Sequence, residues 1–153
     1  MSTRCRIGLE LPDGKIKSIY CHHDGYPEGV GKMLIENYND YQKIVDLLEL
    51  GDISTLGAYY DAEAAAKNWN WLDLSEEERA RVRGTTVAYK DRNEDSPARV
   101  DDSLWEYMDK LEKCWEEYTY LYTHDEETGV MKWHIIDHPS PRILTAKECE
   151  PKD

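Results

Sequence analysis

Between Arg4 and Leu11 apolar side chains recur at every second position, Cys5, Ile7, Leu9 and Leu11, and the run breaks at Asp13-Gly14 before a β-prone stretch begins at Ile16. A period of two marks a strand with one buried face, and Asp-Gly is a preferred hairpin turn. The chain is therefore expected to begin as a β-hairpin. A two-residue loop sets Leu11 opposite Ile16, Ile7 opposite Tyr20 and Cys5 opposite His22. A three-residue loop, Pro12 to Gly14, instead sets Leu9 opposite Lys17 and Cys5 against Cys21. The first register keeps the lysines off the apolar face and is the one expected, with His22 inward and His23 outward. A second hairpin is expected where Tyr118 to Thr123 and Val130 to Ile136 flank the turn-forming residues 125–129.

Between the hairpins the period changes. After Pro27, Val30, Met33, Leu34 and Tyr38 recur at helical spacing, with Pro27 suited to a first turn. Asn39 and Gln42 have capping-box spacing for a helix from Tyr41 to Leu50, which Gly51 would end. Within residues 52–70, Leu56-Gly57 precedes a run from Ala58 to Ala66 that reads as helix or ordered loop. Ser75 and Glu78 cap a short helix, Thr85 to Lys90 reads as a strand, and the charged residues 91–102 read as a loop. Ser103 and Glu106 open what should be the longest helix, with Leu104, Trp105, Met108, Leu111 and Trp115 as its buried stripe. Together these elements predict a single α+β domain over residues 1–145. Its sheet is largely antiparallel, built from N- and C-terminal hairpins with three or four helices packed on it, and residues 146–153 form a polar tail.

The 153 residues include 19 Lys plus Arg against 32 Asp plus Glu, a net charge of −13. Such a surface repels a phosphate backbone, so direct nucleic-acid binding is not expected, whereas a partner with a basic surface is. No apolar run approaches the roughly 20 residues that span a bilayer. No membrane association is expected, and the absence of a signal-peptide pattern predicts a cytoplasmic protein. Cys5, Cys21, Cys114 and Cys149 are scattered without a CxxC pair, as reduced thiols would be. Five Trp and eleven Tyr with no Phe favour rings that carry a polar handle.

The reactive side chains gather from Tyr20 to Lys32. Gly25, Gly29 and Gly31 before Lys32 fail the Walker spacing, which would need Gly at Tyr26 and Ser or Thr at Met33. Cys21, His22, His23 and Asp24 are capable metal ligands, but consecutive residues on a strand point to opposite faces. A site there would need His124, His134 or His138 as well. No metal, cofactor or catalytic residue is assigned. The candidate binding residues are Asp24, Tyr26 and His23 at this junction, Arg92 in the charged loop, and Trp69 with Trp71. On a strand those two indoles would share one face; in a loop they would form adaptable contact surface.

Ser18-Ile19-Tyr20-Cys21-His22, Asp24-Gly25-Tyr26-Pro27 and Gly31 resemble blocks of a family of small uncharacterised proteins encoded by bacteriophages and prophages. Leu50-Gly51-Asp52-Ile53-Ser54, Leu56-Gly57, Thr86-Val87-Ala88-Tyr89 with Asp91-Arg92, and 117–122 followed by Trp133 extend the resemblance over most of the chain. Its most specific part is Tyr-x-x-x-Asp-Gly-Tyr-Pro. Members carry Trp where this chain has His23, so no histidine chemistry carries over. The resemblance implies a phage accessory protein acting in a bacterial cytoplasm. With the acidic composition it leads to the expectation of an inhibitor, of anti-CRISPR or anti-restriction type, that binds a host defence protein with a basic surface. Two other readings are a small-ligand protein that sequesters or degrades a nucleotide immune signal, and a phage regulatory or structural accessory. An enzyme is the less expected outcome, and the sequence leaves the oligomeric state open.

Overall fold

The strand Cys5–Glu10 (β1) is paired along both edges and buried on both faces, and the rest of the domain is arranged around it. The computed structural model describes residues 3–110, 116–137 and 140–150. On one edge β1 runs antiparallel to Ile16–Cys21 (β2); on the other it runs parallel to Tyr118–His124 (β6). Met131–Asp137 (β7) and Ser140–Ile143 (β8) continue the sheet antiparallel beyond β6. The far edge of β2 is shared between Ile53–Thr55 (β3), which carries Val87–Ala88 (β4), and Arg99–Asp101 (β5). The product is one α+β domain on a mostly antiparallel sheet, with the order β4-β3-β2-β1-β6-β7-β8 and β5 alongside β2.

The first hairpin forms as expected, but in the other register. Cys5 faces Cys21, Ile7 faces Ile19 and Leu9 faces Lys17 across a loop closed by Leu11 N–H donating to Lys15 O at 2.8 Å. Gly14 supplies the positive φ, +87°, that the loop requires. Lys17 does not spoil the apolar face, because its ammonium leaves the sheet end to meet the Glu49 carboxylate at 2.7 Å. In this register Cys5, Ile7, Leu9, Ile19 and Cys21 all enter the main core, and Ile16 and Ser18 are buried on the opposite face.

The main core is closed by a π-helical turn, Pro27–Gly31, and the helices Lys32–Asn37 (α1) and Tyr41–Glu49 (α2). Val30, Leu34, Tyr38, Ile44, Leu47 and Leu48 are the buried side of this layer. The cap of α2 is Asp40, whose carboxylate accepts from Lys43 N; Asn39, expected in that role, donates back to Ile35 O. Trp133 Nε1 donates to Tyr38 O at 2.8 Å and ties the α1–α2 link to β7.

The middle of the chain resolves into Ala62–Lys67 (α3), a 3-10 segment Asn68–Asp73, and Glu76–Gly84 (α4). Both halves of the Ser75–Glu78 capping box are present. The strand expected over Thr85 to Lys90 is confined to Val87–Ala88, and part of the expected loop is β5.

Leu104–Asp109 (α5) covers the second face of the sheet. It starts at Ser103 as expected, but its buried residue is Tyr107, while Trp105 is 73% exposed. The cause is Gly8: a Cβ there would lie 2.8 Å from the Tyr107 hydroxyl, so only glycine leaves room for the ring. Leu111 and Trp115 lie outside the described residues; the helix end expected near Glu117 is corrected, because Glu117 N–H donates to Arg4 O at 2.9 Å and leads straight into β6. Leu144 and Cys149 are buried, so the chain after β8 packs on the core through the turn Lys147–Cys149 rather than leaving it at 146.

The second face also holds charge. Arg6 is bound to Glu116 at 3.0 Å and to Ser18 Oγ at 2.9 Å, and the wholly buried Asp101 carboxylate is shared by Arg99 and Lys110. Asp101→Asn leaves those cations without their counter-charge and should lower unfolding free energy by about 3 kcal/mol. Glu76→Gln, at an exposed i,i+3 pair with Arg79, should change it by less than about 0.5 kcal/mol in the same denaturant titration.

Stability should also depend on pH at both ends. Backbone and basic partners hold Asp61, Glu78 and Asp125 below the usual carboxylate range, and Arg142 does the same for Glu148. Groups depressed in the fold contribute above their unfolded values, and that contribution is lost as pH falls through the folded ones. Burial raises the Cys5 and Cys149 thiols, whose contribution is present below the ordinary thiol value and lost as pH rises past it. Tm should therefore fall as pH drops below about 4 and again as it rises beyond about 9; a flat profile over either limb would contradict the assignment.

Candidate functional site

The junction between β2 and the π-helical turn is fixed by its backbone before any side chain is considered. Gly25 N–H donates to Thr3 O at 2.8 Å, and the buried Tyr120 hydroxyl donates to Gly25 O at 2.7 Å. A Cβ on Gly25 would lie 2.8 Å from both Cys5 Cβ and Thr3 O, so the chain passes here only as glycine. Val30 N–H donates to Asp24 O at 2.8 Å, and a Cβ on Gly29 would collide with that same oxygen. Asp24 is held at φ +57°, the left-handed region that Asn and Asp tolerate better than most residues.

Anchored this way, Asp24 is pushed out as an exposed carboxylate, and Tyr26 Oη donates to its Oδ1 at 3.3 Å. The carboxylate charge of Asp24 raises the Tyr26 phenol above its ordinary value, so it remains a neutral donor at neutral pH. His22 and His23 are both half-buried and their rings meet edge to face at 4.6 Å. This corrects the expectation that they face apart, since β2 ends at Cys21 and strict alternation ends with it. The Tyr20 hydroxyl lies 2.7 Å from His22 Nδ1.

The arrangement does not converge on a metal or a nucleophile. The Cys21 thiol donates to the His23 carbonyl at 3.5 Å and faces Cys5 in the core, not the His23 ring. His124 pairs with Glu10 at 2.9 Å at the other end of β6 from Tyr118, the partner of Cys5. Six residues of strand put it about 20 Å from the junction. It lines a groove of about 580 Å³ with His134 and Arg142. Among the described residues no three His, Cys, Asp or Glu side chains group as metal ligands would; His138 lies outside them.

The other candidate residues belong elsewhere in the fold. Trp71 is half-buried on the 3-10 segment before α4, with Arg79 and Arg83 guanidinium carbons 5.4 and 5.1 Å from its ring. Arg83 is thus placed on an indole face. The side chains of Trp69 and Arg92 lie outside what the structure describes. Asp24, Tyr26 and His23 form one local group, and Trp71 a separate one.

Around the junction the sequence reading missed a set of carboxylates that only folding assembles. The Cys149 thiol is pushed up to about 11, first by burial and then by the negative charges of Glu148, Glu28 and Glu36. Those acids come from the C-terminal turn, the π-helical turn and α1 and gather around the Cys149 thiol, and Glu28 shares the Tyr26 phenol with exposed Asp24. Lys32, one helical turn from Glu28 and from Glu36, offsets part of the charge. Gly31 packs against Cys149 Sγ beneath these acids, so the glycines serve close packing and do not cradle an anion. The legible signal was the i, i+4 spacing of Glu28, Lys32 and Glu36.

Comparison with family models, curated proteins and solved structures finds no match to this chain. Among the described residues, no helix is long and apolar enough to cross a membrane.

Tyr120→Phe removes the donor to Gly25 O and should cost about 1–3 kcal/mol of stability by denaturant unfolding. Tyr26→Phe, at an exposed bond, should leave the unfolding midpoint close to that of the parent. Equal losses would mean that the junction is not held from β6.

Proposed function

We propose that this chain is an acidic accessory protein, phage-encoded as the Tyr20–Pro27 resemblance implies, that inhibits a host defence protein by covering a basic, nucleic-acid-binding surface. The observation that carries the reading is the grouping of Asp24, Glu28 and Glu36 around a closely packed glycine turn, with Glu148 beside it already paired to Arg142. Carboxylates grouped on such a turn present their charge to a partner with little ordering cost.

Electrostatics elsewhere in the chain favour the same reading. Lys17, Lys67, Arg81, Lys132 and Arg142 are each engaged with a carboxylate of the chain itself, so they present little net positive charge to solvent. With a net charge of −13, the field that a partner meets is negative. Asp24 and Tyr26 sit at the centre of the proposed contact, where a phenol beside a carboxylate suits an arginine-rich surface.

The test is capture of nucleic-acid-binding defence proteins from host lysate, followed by competition with the cognate nucleic acid. Binding should weaken steeply between low and physiological salt, and Asp24→Asn/Glu28→Gln/Glu36→Gln should lower affinity on the order of tenfold or more. Recovery of no defence component at low salt, or capture indifferent to both salt and the triple substitution, would overturn the reading.

A further inference from the structure

On the second face of the sheet, Leu121, His134 and Ile143 stand in one row across β6, β7 and β8. Leu121 is packed with Tyr107 of α5 in a buried cluster, but from His134 outward the row opens into a groove of about 580 Å³. Leu104, Pro141 and Ile143 give that groove its apolar floor, and Ile143 is 40% exposed on it. Its volume lies within the roughly 300–1,000 Å³ of ligand sites.

The polar wall is the turn between β6 and β7. Glu10, Asp125, Glu126 and Glu127 line the groove against one guanidinium, Arg142. That guanidinium is neutralised from outside, because both of its terminal nitrogens donate to Glu148, at 2.9 and 2.8 Å. Asp125 is occupied within its own turn, accepting from Glu127 N–H and Thr128 Oγ1, and Glu10 holds His124. Glu126 and Glu127 are exposed and have no cationic partner among the described residues. The floor adds an acceptor of its own. His134 is only 6% exposed, and its Nδ1–H donates to Lys132 O at 2.9 Å, which in the neutral ring leaves Nε2 as a lone-pair acceptor. No described residue donates to that nitrogen. Acceptors around an apolar floor select a guest that combines N–H donors, positive charge and aliphatic carbon, and they reject an anion.

We propose that this groove docks a basic peptide segment of a partner protein. An aliphatic side chain of the segment lies on the Leu104–Ile143 floor, arginine guanidinium groups meet Glu126 and Glu127, and a further N–H reaches His134 Nε2. Charge complementarity identifies the guest, since arginine is the donor-rich counterpart of these acceptors. The groove lies at the far end of β6 from the Asp24 junction, so it holds or fails separately from the contact proposed there.

Fluorescence anisotropy of the full chain with a labelled peptide of three Leu-Arg repeats tests it, beside Leu-Glu and Gly-Arg repeats of the same length. The Leu-Arg peptide should bind saturably at physiological salt, the Gly-Arg peptide about tenfold more weakly and the Leu-Glu peptide not measurably. Glu126→Gln/Glu127→Gln should weaken Leu-Arg binding about tenfold. Glu76→Gln/Glu77→Gln, which removes as much charge on α4, should change it less than about twofold. Ile143→Thr should also weaken binding, with the circular dichroism and Tm of every variant close to the parent's. Absence of Leu-Arg binding would overturn the proposal. So would equal binding of the Gly-Arg peptide, or equal weakening by the two double variants, which would reduce the effect to overall charge.

Discussion

The pairing of β1 with both β2 and β6 is the constraint on which the remaining structure rests. It joins two hairpins more than 90 residues apart in sequence into one sheet, with Cys5 between Cys21 on one side and Tyr118 on the other. Loop closure over that separation is costly, and only a strand that buries both faces recovers enough to offset it. Gly8 makes the second face possible by admitting Tyr107, whose hydroxyl donates to Tyr120 O; Tyr120 in turn reaches across the core to Gly25. The position of the junction is thus set by the same strand that sets the fold.

Charge is divided according to burial. On the second face of the sheet the carboxylates of Glu116 and Asp101 are matched by Arg6, Arg99 and Lys110, as buried ions must be. On the surface the acids outnumber their partners, and the excess is held in place by turns and short helices whose backbones are fixed from below.

Much of this was legible in local sequence. Alternation found β1, Asp13-Gly14 its turn, Ser75 and Glu78 the start of α4, and 125–129 the second hairpin, because each signal lies within a few residues of its effect. What was hidden depends on contacts distant in sequence. The hairpin register turned on Lys17, which looked incompatible with an apolar face until Glu49 was brought beside it. β5 reads as a charged loop because the strand it pairs with, at Ile16, Lys17 and Ser18, lies far earlier in the chain. Trp105 looked like the anchor of α5, but the space left by Gly8 selects Tyr107. At the junction, Asp24 and Tyr26 were visible in the sequence as a pair. Their relation to Glu36 and Glu148 was not.

Native-state amide hydrogen exchange on β1 tests the organising claim most directly. If β1 is the strand that joins the two hairpins, the amides of Ile7 and Leu9 and those of Tyr120 and Tyr122 should exchange only through global unfolding. All four should then show one common opening free energy, well above that of the β8 edge. Exchange of the β6 amides through a separate, lower-energy opening that leaves β1 and β2 protected would contradict it, because the hairpins would then be stable independently of their shared strand.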